Sequence, residues 1–426
     1  MLKREISRWD LILLFINGTI GAGIFGLPSQ VYGLAGFYSL PALFICAIII
    51  FILILAFAEV ASRFNKTGGP YLYTLAAFGK KPAFVIGWLL LITRVSAYAA
   101  LIHLLVTYLG YFHPVLVTPF YYEGLIILIT LLFTWINYLG VRNSTILNNT
   151  LAIAKILPLL IFVVAGAFFI DMDLVNTGQA MPPGSNFASS VLILIFAFTG
   201  FESVLVNTGE VKNPKKNIPF ALIVSLTFVT IFYALILFVN MGTLPELASS
   251  NTPITDAARL FLGPAGAFMI TLGAVISIGG TLNAVMLIGS RVPYALAGEK
   301  QFPKLFQKVH PRNHTPVYSL FLFIAISIVA SLTGSFIYAV SITVISKVLI
   351  YLLVCAALIK MRRKSKKEER YFKLKYGYFI AITGMLASIG LLISADLSEF
   401  LDVLITVLAG ILLFGIYKYF SATRKK

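Results

Sequence analysis

The stretch Asn17-Gly18-Thr19-Ile20-Gly21-Ala22-Gly23-Ile24-Phe25-Gly26-Leu27-Pro28 lies inside an apolar run long enough to cross a bilayer, yet it is crowded with glycine and closed by proline. A helix spanning there is expected to break there. Backbone left unpaired at membrane depth is costly, so such a break belongs where it lines a cavity and a ligand takes the free N–H and C=O groups. The second half of the chain repeats the device in Phe196-Ala197-Phe198-Thr199-Gly200-Phe201-Glu202. Two broken spans in corresponding halves point to the substrate site of a secondary transporter.

Composition agrees. The 426 residues are 59% hydrophobic and 12% charged, with a mean hydropathy of +0.94, too apolar for a water-soluble fold of this length. The net charge of +17 resides in short basic clusters between apolar runs, the pattern of cytoplasmic loops rather than of a nucleic-acid-binding surface. Cys46 and Cys355 both fall in apolar runs and carry no message about redox compartment. The start of the chain runs from basic residues straight into a long span without a small-residue cleavage site, so no cleaved signal peptide is expected.

The fold class expected is therefore an all-α polytopic membrane protein of about twelve helices. Apolar runs place spans at roughly 9–33, 37–63, 83–112, 120–139, 145–170, 187–210, 217–242, 264–297, 315–331, 337–360, 376–393 and 398–420. Lys and Arg collect on one side of this map and acidic residues on the other, with Arg259 the lone basic residue there. Both termini are thus expected in the cytoplasm. The breaks fall in spans one and six, dividing residues 1–426, a single transporter domain, into 9–170, an oppositely oriented 187–360, and two additional helices in 376–420. This is a five-plus-five inverted repeat. Gly68 to Tyr73 is expected as a loop after span two, and Lys360 to Arg370 as a solvated basic loop facing anionic lipid.

With both breaks placed, the chain resembles the amino acid–polyamine–organocation superfamily. The carrying residues are Gly18 to Phe25, Gly68-Gly69-Pro70-Tyr71-Leu72-Tyr73, Phe198-Thr199-Gly200-Phe201-Glu202 running on from Glu210 to Pro219, and Ser290 to Leu296 followed by Phe302-Pro303 and His310-Pro311. Gly298-Glu299-Lys300 departs from the Arg-Asp-Gly of many relatives, in a loop. The resemblance implies a permease that moves amino acids by alternating access, with membrane lipid, protons and a small-molecule amino acid as partners and no cofactor.

The physical chemistry of the breaks fits that implication. A half-helix beginning near Gly21 to Gly23 points its amides and positive dipole end into the cavity, which suits a carboxylate. By resemblance Gly21, Ala22 and Gly23 bind the α-carboxylate, and a branched side chain at position 23 is expected to fill the carboxylate's space. The outer half of span six is expected to end near Phe196 and Ala197 with unpaired carbonyls. By resemblance the carbonyls of Thr19, Phe196, Ala197 and Thr199 accept from the amine, and the Phe196 ring closes over the substrate.

Charges at membrane depth have function as their default reading. Glu202 follows the second break, where it either caps broken backbone or carries a proton. Lys155 stands about ten residues, roughly 15 Å, into span five. By resemblance to proton-coupled relatives it puts its ammonium where sodium-coupled ones hold an ion, with Ser277 or Thr281 on span eight as partners. Arg94 and Lys347 are also deep, either as structural cations or as specificity residues, and Tyr98 shares a helix face with Arg94. His310 and His314 sit among prolines in a loop, so no zinc pair is expected, and His103 is expected to be a packed or interfacial histidine. No nucleotide motif and no enzyme site emerge. The alternatives to a proton-coupled permease in the cytoplasmic membrane are an amino acid or amine exchanger, with Lys155 then structural, and a non-transporting sensor.

Overall fold

The computed structural model describes residues 7–64, 68–139, 144–177, 186–202, 211–212, 214–364 and 372–423. Among them the chain forms helices and no sheet. In order these are α1 (Arg8–Thr19), α2 (Ala22–Ala35), α3 (Ser39–Ala61), α4 (Gly69–Phe78), α5 (Lys80–Leu109), α6 (Pro119–Leu139), α7 (Ser144–Gly166) and α8 (Met172–Thr177). There follow α9 (Phe187–Phe198), α10 (Pro214–Thr243), α11 (Pro253–Gly289), α12 (Arg291–Gly298), α13 (Val317–Thr333), α14 (Phe336–Lys364), α15 (Gly377–Ile393) and α16 (Leu397–Thr423). Seven stretches within this set are long and apolar enough to cross a membrane, and four shorter helices are also apolar. The protein is an all-α polytopic membrane protein.

The expected map needs correction in places. Gly68 to Tyr73 is not a loop: Gly68 adopts φ 149, and Gly69-Pro70 opens α4 with proline in its first turn, where no amide partner is lost. Span eight begins at residue 264 as expected: Gly263 (φ 69, ψ −166) is non-helical and separates the helix that Pro264 opens from a shorter one that starts at Pro253. The first part of the expected basic loop, Lys360 to Lys364, continues α14. The remainder of that loop, the inner half of span six (203–210) with Glu210, and Arg142 lie outside the described residues.

The chain divides into two compact units, each drawing on both halves of the sequence. The first comprises residues 1–83, 159–267 and 348–395. Here α2 lies along α9, α1 along α10, and α3 against α9, α10 and α15. The fully buried rings of Phe57, Phe201 and Tyr351 meet at centroid separations of 5.4 to 5.7 Å. A charge lies at one end of this unit that the sequence reading does not single out. Glu59, with no exposed surface, accepts from Arg63 Nη2 at 3.1 Å, from Arg362 Nε at 2.8 Å and Nη2 at 2.5 Å, and from the Leu374 amide at 3.0 Å. A buried carboxylate is tolerated when paired and hydrogen-bonded in this way.

The second unit comprises residues 84–158, 268–347 and 396–426. Buried polar side chains join its helices: Asn137 Nδ2 donates to Asn283 Oδ1 at 2.7 Å, Thr343 Oγ1 to Ser96 Oγ at 3.0 Å, and Trp88 Nε1 to the Thr406 carbonyl at 2.7 Å. Such bonds hold helices together where lipid supplies no hydrophobic drive. Phe84 stacks on Phe414 at 4.4 Å. His103 is a packed histidine, its Nδ1 2.8 Å from the Tyr122 hydroxyl and the two rings stacked.

Candidate functional site

The break in the first span is short. Helix α1 begins under a capping box formed by Ser7 and Asp10 and ends at Thr19. Ile20 is extended, and Gly21 (φ −137, ψ −141) leads directly into α2. Pro28 does not terminate α2, which continues to Ala35. No side chain caps the N-terminus of α2, although Ala22 and Gly23 are buried. An uncapped, buried helix start is a ready anion site.

In the second break α9 ends at Phe198, Thr199 is extended, and Gly200 takes φ 122. The two breaks touch. A Cβ on Gly200 would stand 2.2 Å from the Gly18 oxygen and 2.6 Å from its carbonyl carbon. Position 200 therefore requires glycine twice over, for its dihedral and for its neighbour.

Gly23 packs closely against α9. Its Cβ would lie 2.6 Å from Ala197 Cα and 3.1 Å from Ala197 N. Its missing side chain lets α2 lie against α9, so a branched residue at 23 would first collide with α9.

The carbonyls at these ends have donors within reach, two of them sharing one, which corrects the expectation for span six. The Phe196 oxygen accepts from the Thr199 amide at 3.2 Å and from Thr199 Oγ1 at 2.8 Å. The Thr19 and Ala197 oxygens both meet the hydroxyl of Tyr233 on α10, at 2.9 and 3.2 Å. Tyr233 is 1% exposed and joins the C-terminal ends of α1 and α9. Sequence reading misses it, since one tyrosine among 20 in an apolar chain carries no local signal. Thr19 Oγ1, also buried, has no partner among the described residues. Beside the junction, Gly23, Ala197 and Tyr233 help line an apolar cavity of about 20 Å³ together with Leu27, Leu194 and Leu237.

Glu202 caps the second break: Oε2 accepts the Gly200 amide at 2.9 Å, and Oε1 accepts from the Tyr351 hydroxyl. This arrangement satisfies backbone that the break exposes.

The remaining expected site residues belong to the second unit. Lys155 on α7 is 5% exposed. Gly273 of α11 approaches Pro158 of α7 so closely that a Cβ would stand 3.0 Å from the proline ring. One turn along α11 from Gly273, buried Ser277 has an Oγ without a partner among the described residues, while Thr281 Oγ1 donates to the Ser277 carbonyl at 2.9 Å. Arg94 is half-buried on α5 and Lys347 is buried on α14. Tyr98 is committed to the interior of its unit: it is fully buried, its hydroxyl donates to Thr130 Oγ1 at 3.0 Å, and its ring meets Phe323 edge-on.

The family model described as amino acid permease matches residues 6–414. The chain belongs to the amino acid permease family. This permease is 30% identical to the branched-chain amino acid permease BcaP of Bacillus subtilis (strain 168), over 98% of this chain and 93% of the relative. It is 27% identical to the serine/threonine exchanger SteT of the same organism, over 100% and 98%. Against the mouse b(0,+)-type amino acid transporter 1 the identity is 26%, over 99% and 89%. The permease is thus an integral membrane transporter and not an enzyme, as the sequence implied.

Proposed function

We propose that this permease is a secondary active transporter of zwitterionic α-amino acids, coupled to protons, working by alternating access between two inverted five-helix repeats. Both termini lie in the cytoplasm and the protein resides in the cytoplasmic membrane. The observation that carries the substrate reading is the junction of the two breaks, where the uncapped start of α2 stands within three residues of the Thr19 carbonyl. The α-carboxylate takes the amides of Gly21, Ala22 and Gly23, while the ammonium takes carbonyl oxygens among Thr19, Phe196, Ala197 and Thr199. Both contacts use backbone, so they recognise the amino acid core and leave the side chain to other residues. Phe196 closes over the bound substrate. Arg94 and Lys347 bias the choice toward polar or acidic side chains.

Proton coupling is assigned to Lys155, with Ser277 and Thr281 as acceptors of its ammonium. The close approach of Pro158 and Gly273 supports this. In the expected topology spans five and eight run antiparallel, so one turn from each contact residue brings Lys155 and Ser277 to the same level. Uptake and counterflow by the purified protein in liposomes, over a panel of amino acids and amines with imposed pH or sodium gradients, test the proposal. Uptake that requires sodium, or binding of methyl esters as tight as of free acids, refutes it. The similarity to SteT favours a second reading, electroneutral exchange with Lys155 structural. It predicts uptake only against internal amino acid and no response to a pH gradient.

A further inference from the structure

The Glu59 network does more than satisfy a buried charge: it fixes the non-helical segment 372–375 between α14 and α15. The Leu374 amide donates to Glu59 and the Leu374 carbonyl accepts from Arg362 Nη2 at 2.6 Å. The Phe372 amide donates to Ser62 Oγ at 3.1 Å, and Ser62 Oγ lies 3.3 Å from the Phe372 carbonyl. Anchored on both residues, the segment alternates in exposure: Phe372 and Leu374 are partly covered, while Lys373 and Lys375 are exposed. Gly377 sits under the Arg362 guanidinium, where a Cβ would lie 2.1 Å from Nη2.

The network also sorts the charges. Arg362 is neutralised by Glu59, whereas Arg363, Lys364, Lys373 and Lys375 are exposed and have no carboxylate partner among the described residues. Directly after them, at the start of apolar α15, Tyr376 is 65% exposed, Tyr378 43% and Phe379 70%. Exposed aromatic rings at the end of an apolar span mark the depth of lipid headgroups. Fixed cations at that depth face phosphate diesters and not bulk water.

From this geometry we infer that the Glu59-anchored segment, with Arg363, Lys364, Lys373 and Lys375, is a binding site for the headgroup of an anionic phospholipid. The chain's own carboxylate removes one cation from the patch and holds two others outward. The site thus differs from a freely moving basic loop, and it is independent of which amino acid the permease carries.

The test is native mass spectrometry of the purified full-length chain in neutral detergent, titrated with phosphatidylglycerol or phosphatidylcholine. Phosphatidylglycerol should be retained in preference, and the variant carrying Lys373→Gln and Lys375→Gln should bind it about 25-fold more weakly, at about fivefold per basic side chain near an anionic surface. Both lysines are exposed, so the double variant folds, and its unaltered melting temperature verifies this. Exposed Lys304 and Lys308, changed to Gln together as a control, should leave retention within about twofold. Equal retention of the two lipids, undiminished binding by the Lys373/Lys375 variant, or an equal loss in the control overturns the inference. Displacement of the lipid by inorganic phosphate at equal concentration would reassign the site to a free anion and overturn the lipid as its occupant.

Discussion

Substituting alanine for Gly200 tests whether the two breaks are held together by direct backbone contact. A residue other than glycine at φ 122 is strained, which costs roughly 1–3 kcal/mol. The added methyl would also stand 2.2 Å from the Gly18 oxygen, and forced overlap of this kind adds roughly 1–3 kcal/mol. The total is about 2–6 kcal/mol. Two other glycines separate these contributions. Gly263 has φ 69 but nothing within 4 Å of its Cβ position, so Gly263→Ala carries the strain alone, about 1–3 kcal/mol. Gly124, in the second turn of α6, also has nothing within 4 Å, and Gly124→Ala should stabilise by about 0.4–1 kcal/mol. Denaturant titration of the three variants in detergent should order them Gly124→Ala, unaltered chain, Gly263→Ala, Gly200→Ala, from most to least stable. Because 1.4 kcal/mol is tenfold, the last two should differ in unfolding constant by about 5- to 150-fold. Equal destabilisation by Gly200→Ala and Gly263→Ala would refute the contact between the breaks.

The other predictions address the ligand, the coupling, the buried charge and the topology. Tyr233→Phe removes the hydroxyl from the Thr19 and Ala197 carbonyls and should lower stability by about 1–3 kcal/mol. Saturating amino acid should restore part of that loss, since the ammonium supplies donors, and a deficit that ligand leaves unchanged would show these carbonyls are not amine acceptors. Lys155→Ala should abolish the response of uptake to a pH gradient while counterflow persists; gradient-driven uptake at the unaltered level would end the proton assignment. Glu59→Gln leaves the Arg362 guanidinium buried without its counter-charge and should destabilise by about 3–5 kcal/mol. Adding Arg362→Met should recover part of it, and strict additivity in unfolding measurements would count against the pair. A reporter fused after Lys426 should read cytoplasmic and one inserted in residues 171–185 external; inverse labelling would reverse the span map.

The breaks are legible in the sequence because glycines crowd an apolar run only where a helix gives way or a neighbour comes close, and the basic clusters are legible because membranes sort charge. What escapes a reading of the sequence is whatever depends on residues far apart in the chain. Tyr233 lies more than 200 residues from Thr19, and Glu59 more than 300 from Arg362 and Leu374, so no local spacing announces either. That Gly23 also packs against Ala197 is not legible either, since the two are far apart in the chain. The carbonyls of Phe196 and Ala197 read as unpaired because helix ends are so by default; their partners, Thr199 and Tyr233, come from a tight local turn and from another helix. Gly69-Pro70 reads as a loop, although proline in a first turn is also a helix-start signal.

The Tyr233 hydroxyl carries one proton and meets two carbonyl oxygens, so at every instant one of the two goes without it. That shortage sets a scale on which ligands can be ranked without reference to their side chains. A primary ammonium arrives with three N–H groups, a secondary one such as that of proline with two, an α-hydroxy acid with a single O–H, and an α-keto acid with none. If the junction selects by what it lacks, affinity should descend that ladder in order, and the same descent should appear for every side chain the permease accepts.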